Sequence, residues 1–438
     1  MLRRLSLLIA LCFALGSPWA FGQDPFNVAV TPDKLALLLT QLYGPDGLIV
    51  DSLTVLPSGD THSAHFNSRF QSDFTQFNTA LASQIVNVPL PSPASGFTYE
   101  FDASLGVFAR TTQSFGPILA ERAETIGAGR FSFGFTFQSF TFDTIEGLDL
   151  DSVPAVFTHD GAAPGGKADV VTTVNSINAS VNQFTTFLTY GVTDRLDLSI
   201  AIPVVSNDMT VVSEATVQRI GTASDPLVHF FRAADGSLGN RRLFTAFGSS
   251  SGLGDITLRL KALVANGFSL ALDVRAPTGD EEDLLGSGAA GVRPFLIWSG
   301  GGGAFAPHIN LGYQWNGKST LAGNPTTGES GELPDQAFYT VGADFSLGSR
   351  FTFAMDLLGQ YVIDTPRVAV QEFQALDGMT TFQTLTFQED SFNALSGAIG
   401  FKLNVVENLL VDFNLLFNLD NNGLRDKVTP LVGVEYAF

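Results

Sequence analysis

Val428-Thr429-Pro430-Leu431-Val432-Gly433-Val434-Glu435-Tyr436-Ala437-Phe438 is the stretch on which the reading of the fold turns. Val432, Val434, Tyr436 and Phe438 form one alternating set, and Gly433, Glu435 and Ala437 the other. A strand has a side-chain period of two, so the sets project to opposite faces. One face is apolar and aromatic; the other is small or polar. About 9–11 residues of this kind, greasy outside and polar inside, suit a strand that crosses a bilayer within a closed barrel. The competing reading is an edge strand of a soluble β-sandwich.

The opposite terminus agrees with the barrel. Residues 1–22 read as a secretory signal, with Arg3 and Arg4 as the basic region and residues 5–15 as an apolar run too short to span a bilayer as a helix. Ala20-Phe21-Gly22 offers small residues for cleavage, so Gln23 would begin the mature chain. The single cysteine, Cys12, lies inside that run, so the mature chain would hold no thiol for a disulfide, a metal or nucleophilic chemistry.

Composition narrows the class. Hydrophobic residues make up 45% of the chain and charged residues 15%, with Phe at 39 against 23 for Lys and Arg together. Yet no run of about 18 apolar residues follows residue 22, which excludes a transmembrane helix. Apolar residues that never gather into such runs must be spread through alternating strands. The net charge of −20 leaves no basic patch to displace counterions, which excludes nucleic acid as a partner.

Alternation recurs along the chain. Residues 97–109 put Phe97, Tyr99, Phe101, Leu105 and Val107 on one face. Residues 131–142 carry Phe131, Phe133, Phe135 and Phe137, with a phase slip near Gln138 that suggests a bulge. Residues 182–190 and 196–204 read as a hairpin, and so do residues 255–276 around the Asn266-Gly267 turn. Further strands fall at 293–299, 304–315, 337–347, 351–361, 395–405 and 409–418. The count before correction is thirteen. Single-chain bacterial barrels take an even number, which makes fourteen the first choice and twelve the second. Short connections near 191–194, 265–267, 300–303, 348–350 and 406–408 alternate with long ones near 143–180, 205–254, 277–292, 316–336 and 362–393. That is the habit of a barrel with periplasmic turns and external loops.

Residues 23–95 differ. Thr31 and Pro32 can start a helix with Leu35, Leu38, Leu39 and Leu42 on one face and Gly44 beyond its end. Phe66, Phe70, Phe74, Phe77, Leu81 and Ile85 recur at helical spacing before Pro89, Pro91 and Pro93. This segment reads either as a plug in the lumen or as a periplasmic extension. The barrel would then occupy residues 96–438.

Several motifs tempt toward chemistry. Gly286-Ser287-Gly288-Ala289-Ala290-Gly291 fits a dinucleotide fingerprint, but Arg293-Pro294 and a strand follow where a helix is required. Gly248-Ser249-Ser250-Ser251-Gly252 fits a nucleophile elbow and reads better as a loop. Asn418, Asp420, Asn422 and Gly423 open like a calcium loop, but Thr429 stands where the bidentate Glu belongs. His62 and His65 lack a third ligand, and Asp280, Glu281, Glu282 and Asp283 read as a solvated acidic loop. No metal or cofactor is expected. Of the remaining histidines, His308 alone falls on a clear strand, beside Asn310, with no nucleophile paired to it, so the chain is not expected to be an enzyme.

The last strand, closed by a terminal Phe, resembles the C-terminal strand of bacterial outer-membrane barrels. That resemblance implies that Val434, Tyr436 and Phe438 are read by barrel assembly machinery. Tyr190-Gly191-Val192-Thr193-Asp194-Arg195-Leu196-Asp197-Leu198, Pro203, Gly252-Leu253-Gly254-Asp255-Ile256, Ala276-Pro277-Thr278-Gly279-Asp280 and Leu285-Gly286-Ser287-Gly288 together resemble a second group. This is the outer-membrane family labelled as the putative MetA pathway of phenol degradation. The match covers roughly residues 180–438 and implies a barrel that lets aromatic or other hydrophobic compounds cross the outer membrane. The helices before the barrel are also similar in architecture to the N-terminal hatch of long-chain fatty-acid transporters.

The expectation is therefore an all-β, antiparallel, up-and-down transmembrane barrel of 12–14 strands in a Gram-negative outer membrane. It would pass small hydrophobic or aromatic molecules. Its partners would be membrane lipid, lipopolysaccharide and the assembly machinery. Asp255, Arg259, Lys261, Asp273, Arg275, His308, Asp344, Asp356, Lys402 and Asp412 are the candidate lumen residues, where opposite charges can pair and shape a constriction. A closed structural or adhesion-type barrel without transport is the alternative, and a barrel hydrolase ranks below it. Substrate and oligomeric state are not legible.

Overall fold

The alternating stretches pair into one sheet that closes on itself. The computed structural model describes residues 26–44, 47–53, 66, 70–86, 88–92, 96–102, 107–110, 112–159, 168–223, 227–301, 303–406 and 408–438. The expected secretory signal with Cys12, together with His62, His65 and Pro93, lies outside the described residues.

Twelve strands form the ring. They are β1 Phe131–Thr141, β2 Val170–Thr193, β3 Leu196–Gln218, and β4 in two segments, Arg241–Leu253 and Thr257–Ala265. Then follow β5 Phe268–Arg275, β6 Gly291–Ser299, β7 Phe305–Asn316, β8 Gln336–Ser346, β9 Phe351–Gln374, β10 Thr381–Val406, β11 Leu409–Asn418 and β12 Val428–Ala437. Each pairs antiparallel with the next. β12 returns to β1, so the sheet has no open edge through the ring. At the seam, the Phe131 and Phe438 amides donate to each other's carbonyls at 2.8 Å. Twelve is the second of the two expected counts. The surplus strand of the thirteen is 97–109. There Tyr99–Asp102 pairs with Val107–Arg110 in a small separate hairpin. Backbone groups satisfied by that local pairing are not offered to the barrel ladder.

The barrel is inverted relative to a water-soluble protein. On β4, Thr257, Arg259 and Lys261 are buried while Leu258 and Leu260 are exposed. On β5, Ser269 and Asp273 are buried while Leu270, Leu272 and Val274 are exposed. On β12, Val432, Val434, Tyr436 and Phe438 face outward. Leaving one such side chain in water forfeits about 1.5–3 kcal/mol relative to burial. A whole belt of them is stable only against hydrocarbon. Among the described residues no helix is long and apolar enough to cross a membrane.

Two hairpins run far past the membrane. β2 and β3 are 24 and 23 residues long, and β9 and β10 are 24 and 26. At about 3.3 Å per residue such strands reach roughly 80 Å, against about 30 Å of hydrocarbon. Much of the expected external loops at 143–180, 205–254 and 362–393 is therefore paired strand. Runs such as Val170-Val171-Thr172-Thr173-Val174-Asn175 are too polar to read as membrane strand. Their ladder partner lies some 40 residues away, out of reach of a local window.

Described parts of the chain ahead of β1 pack against inward-facing residues of the barrel, among them Val181, Val205 and Val211. Asn27–Val30 adds in parallel to the outer part of β4 at residues 243–246. The expected helix from Thr31 is only a short 3-10 turn, Leu35–Leu37, yet its apolar face is as read: Leu35, Leu38, Leu39 and Leu42 are all buried. Tyr43 lies edge-on to Phe244 at 4.8 Å, and its hydroxyl reaches the inward-facing Ser213 at 2.7 Å and Asn175 at 3.3 Å. Helix α1, Phe70–Ile85, buries Phe77, Leu81 and Ile85.

Residues 112–129 then cross the lumen near the end with short turns. Crossing backbone must find hydrogen-bond partners, and the wall supplies them. Thr352 on β9 accepts from the Phe115 amide (3.0 Å), Asn310 on β7 from Glu121 (2.7 Å), and Ser299 on β6 from Ala123 (2.8 Å). Asp197 on β3 accepts from the Ile126 amide at 3.1 Å. Ser269 on β5 and Lys261 on β4 donate to the carbonyls of Ala123 (2.6 Å) and Glu124 (2.8 Å).

Candidate passage through the barrel

Period-two alternation on adjacent strands brings inward-facing charges of one height together. Arg259 on β4 faces Asp273 on β5, which faces Arg293 on β6. Arg259 grips Asp273 with a fork, Nε to Oδ1 at 2.6 Å and Nη2 to Oδ2 at 2.8 Å, while Nη1 donates to Glu121. Arg293 donates through Nε to the same Asp273 oxygen at 3.0 Å, and its guanidinium lies over the Phe338 ring at 4.9 Å. Lys261 sits 3.6 Å from Asp197 and 3.8 Å from Glu121. Buried charges survive because they are paired and hydrogen-bonded.

The other expected lumen residues form smaller groups. Asp255 accepts from the Ser287 amide (2.8 Å) and hydroxyl (2.6 Å), with Arg275 Nε 3.8 Å away. Arg275 donates through Nη2 to Asn316 at 2.8 Å. His308 lies between Asp356, 2.5 Å from Nε2, and Asp344, 3.4 Å from Nδ1. Lys402 and Asp412 face each other across β10 and β11. Nine of the ten residues are buried and Arg275 is half-buried. Glu121, Asp197 and Arg293 belong to the largest network but were not among the residues singled out from the sequence. Asp197 and Arg293 carry the strand signal. Glu121 lies in a stretch with no periodicity at all.

Two cavities flank the crossing segment. The one toward the long hairpins holds about 320 Å³. Its upper part carries an apolar patch of Ile85, Val86, Phe140, Val181, Val205 and Leu285 beside Gln183, Arg425 and Asp426; its floor is polar, with Arg259, Asp273, Arg275, Arg293 and the amides of Gln336 and Gln360. The other, about 610 Å³, opens between residues 112–125 and the short-turn rim, beside His308 and Asp344. Glu121 borders the first cavity, and Arg122 and Glu124 border the second. The segment that carries all three is thus the partition between them.

The tempting motifs are used structurally. Ser250 lies within β4 and donates to the Asp283 carbonyl at 2.7 Å. Gly286–Gly291 is a turn in which Gly288 takes φ +69°, and it leads into β6. Asp420 accepts from the Leu395 amide at 2.8 Å and pairs with Arg425, so its carboxylate closes a turn. The acidic loop is more than a solvated surface. Lys34 bridges Asp283 at 2.9 Å and Asp280 at 3.0 Å, fastening the N-terminal segment to the β5–β6 connection. The hydrogen bonds that Lys34 donates to Asp283 and Asp280 hold its ammonium well above its ordinary pKa. Partial burial pushes the Asp280 carboxyl up, but the Lys34 bond and charge outweigh it and leave it below the usual range.

Residues 157–423 match the model of a family described as "Putative MetA-pathway of phenol degradation". No curated protein matches the chain. Among solved structures, an outer membrane channel from Pseudomonas putida F1 is similar at 14% identity, over 72% of this chain and 98% of that one, with a TM-score of 0.41. The CymD monoaromatic hydrocarbon channel is similar at 10% identity, over 71% of this chain and 88% of that one, with a TM-score of 0.32. The Ralstonia pickettii toluene transporter TbuX is similar at 12% identity, over 71% of this chain and 90% of that one, with a TM-score of 0.29.

Proposed function

Because the chain belongs to the family of the putative MetA-pathway of phenol degradation, we propose that it is an outer-membrane channel for small hydrophobic or aromatic molecules. The observation that carries this is a closed barrel whose outside is apolar and whose bore holds a cavity with an apolar patch of Phe140, Val181, Val205 and Leu285. Lipid and lipopolysaccharide would meet the exposed belt. Val434, Tyr436 and Phe438, at the seam with β1, would be presented to the assembly machinery. The short turns face the periplasm and the long hairpins the outside. Residues 23–95, continued by 112–129, act as the plug that narrows the bore.

A closed barrel without transport is the second reading, favoured by the many hydrogen bonds that hold residues 112–129 to the wall. Liposome swelling with small solutes and single-channel conductance separate the two. Protein lacking residues 24–129 should conduct well above the intact chain, and the intact chain should admit a small aromatic such as toluene into vesicles. An unchanged trace on deletion refutes the plug, and absence of toluene entry refutes the channel.

A further inference from the structure

We infer that the cavity toward the long hairpins takes an amphipathic anion, an apolar body ending in one carboxylate, in preference to a neutral hydrocarbon. This inference rests on the channel reading and sharpens it. On the floor of the cavity the formal charges cancel: Arg259, Arg275 and Arg293 stand against Glu121, Asp255 and Asp273. What the cavity meets does not cancel. The side chains of Arg293 and Arg275 are 28% and 15% accessible, whereas those of Asp255, Glu121 and Asp273 are 8%, 5% and 4%.

The cause is geometric. Asp273 is held between two guanidiniums. Asp255 is turned into the Gly279 and Ser287 amides at 3.1 and 2.8 Å, and Glu121 accepts from Ser92 at 2.5 Å besides Arg259. The carboxylates are thus drawn into the wall and the crossing segment. Arg293 engages Asp273 through Nε and Nη2, and a guanidinium has five N–H donors in a planar fork. The donors that remain on its outer edge match a carboxylate. Asp426, at the far rim of the cavity, is occupied by the Thr141 and Val428 amides and the Thr429 hydroxyl, so its charge is drawn off the same way. Above the arginines lie Phe140, Val181, Val205 and Leu285, a fit for an apolar body. A neutral hydrocarbon seated there would displace water from guanidinium donors and return no hydrogen bond, which is the unfavourable exchange that discriminates between ligands.

The test compares octanoate with octan-1-ol at pH 7, two ligands of one length that differ in the head group. Binding to the full-length protein in detergent is measured by calorimetry, and entry into proteoliposomes by solute uptake. The intact protein should bind octanoate at least tenfold more tightly than octan-1-ol. Arg275→Gln with Arg293→Gln should abolish that preference. Equal affinity of the two ligands for the intact protein overturns the anion inference and leaves the channel standing, without need of any variant. Binding and entry of neither ligand overturns both. Retained preference in the double variant refutes the assignment to these arginines.

Discussion

Arg259→Met tests whether the buried network both stabilises the barrel and holds the plug. Arg259 is 8% exposed and engages Asp273 through two bonds and Glu121 through a third. Methionine keeps most of the stem and removes the charge. Asp273 keeps Arg293, and Glu121 keeps Lys261 at 3.8 Å and the Ser92 hydroxyl. One buried negative charge is then left without its closest counter-charge. Removing one partner of a buried pair costs about 3–5 kcal/mol, mostly as the burden of the charge left behind. Urea unfolding in lipid vesicles, followed by the heat-dependent shift in electrophoretic mobility, should show a loss in that range. Arg259→Met with Glu121→Gln should recover much of it, because the stranded carboxylate is neutralised. Glu121 sits on the crossing segment, so the single variant should also raise single-channel conductance by loosening the partition. A single variant within about 1 kcal/mol of the parent, with no recovery in the double, would show that the network is solvated and not a buried clamp.

Two further outcomes follow from the packing and the loops. A methyl group at Gly359 would lie 2.0 Å from the Tyr339 ring, and at Gly397 2.6 Å from that of Phe417. Gly359→Ala and Gly397→Ala should each cost about 1–3 kcal/mol through overpacking, read as a lower urea midpoint. A gain in stability at either site would contradict the cross-strand contact. The Lys34 clamp has a defined pH window. Asp280 is lowered, so its contribution is present above the usual carboxylate pKa and lost as pH falls through its folded value; Lys34 is raised, so its contribution is present below about 10.5 and lost at higher pH. Hydrogen exchange over residues 26–44 should be unaffected by this clamp between pH 5 and 9, after correction for intrinsic rates, and accelerate below pH 4. Lys34→Ala should accelerate it more at pH 7 than at pH 3, and an equal effect at both would reject the pairing.

Much of the architecture was legible because each barrel strand carries its own evidence. Leu258 and Leu260 against Arg259 and Lys261, or Val432, Val434 and Tyr436 against Gly433 and Glu435, state a period of two without any neighbour. The charges on the inner set could likewise be named in advance. Residues 97–109 show the limit of that logic: they alternate as well as any strand, yet the partner they find is their own second half. The outer halves of β2 and β3 show the converse, with strands of mixed polarity held by pairing partners distant in sequence, whereas those of β9 and β10 pair across their own turn, Gln374 with Thr381.

From its residues alone, then, this protein declares alternating antiparallel strands, since periodicity is local and every crossing strand must repeat it; that the apolar face looks outward came from the strand count, the secretory-like first 22 residues and the terminal Phe. Which charge meets which, and what crosses the bore, were decided by the fold. Glu121 reaches Arg259 across 138 positions, and Ala123 is clasped by Ser269 and Ser299 from two different strands. The stretch bearing Glu121 and Ala123 has no periodic signature because it forms neither helix nor strand. Its conformation is set by the polar lining that surrounds it, and that lining comes into being only when the twelve strands have closed.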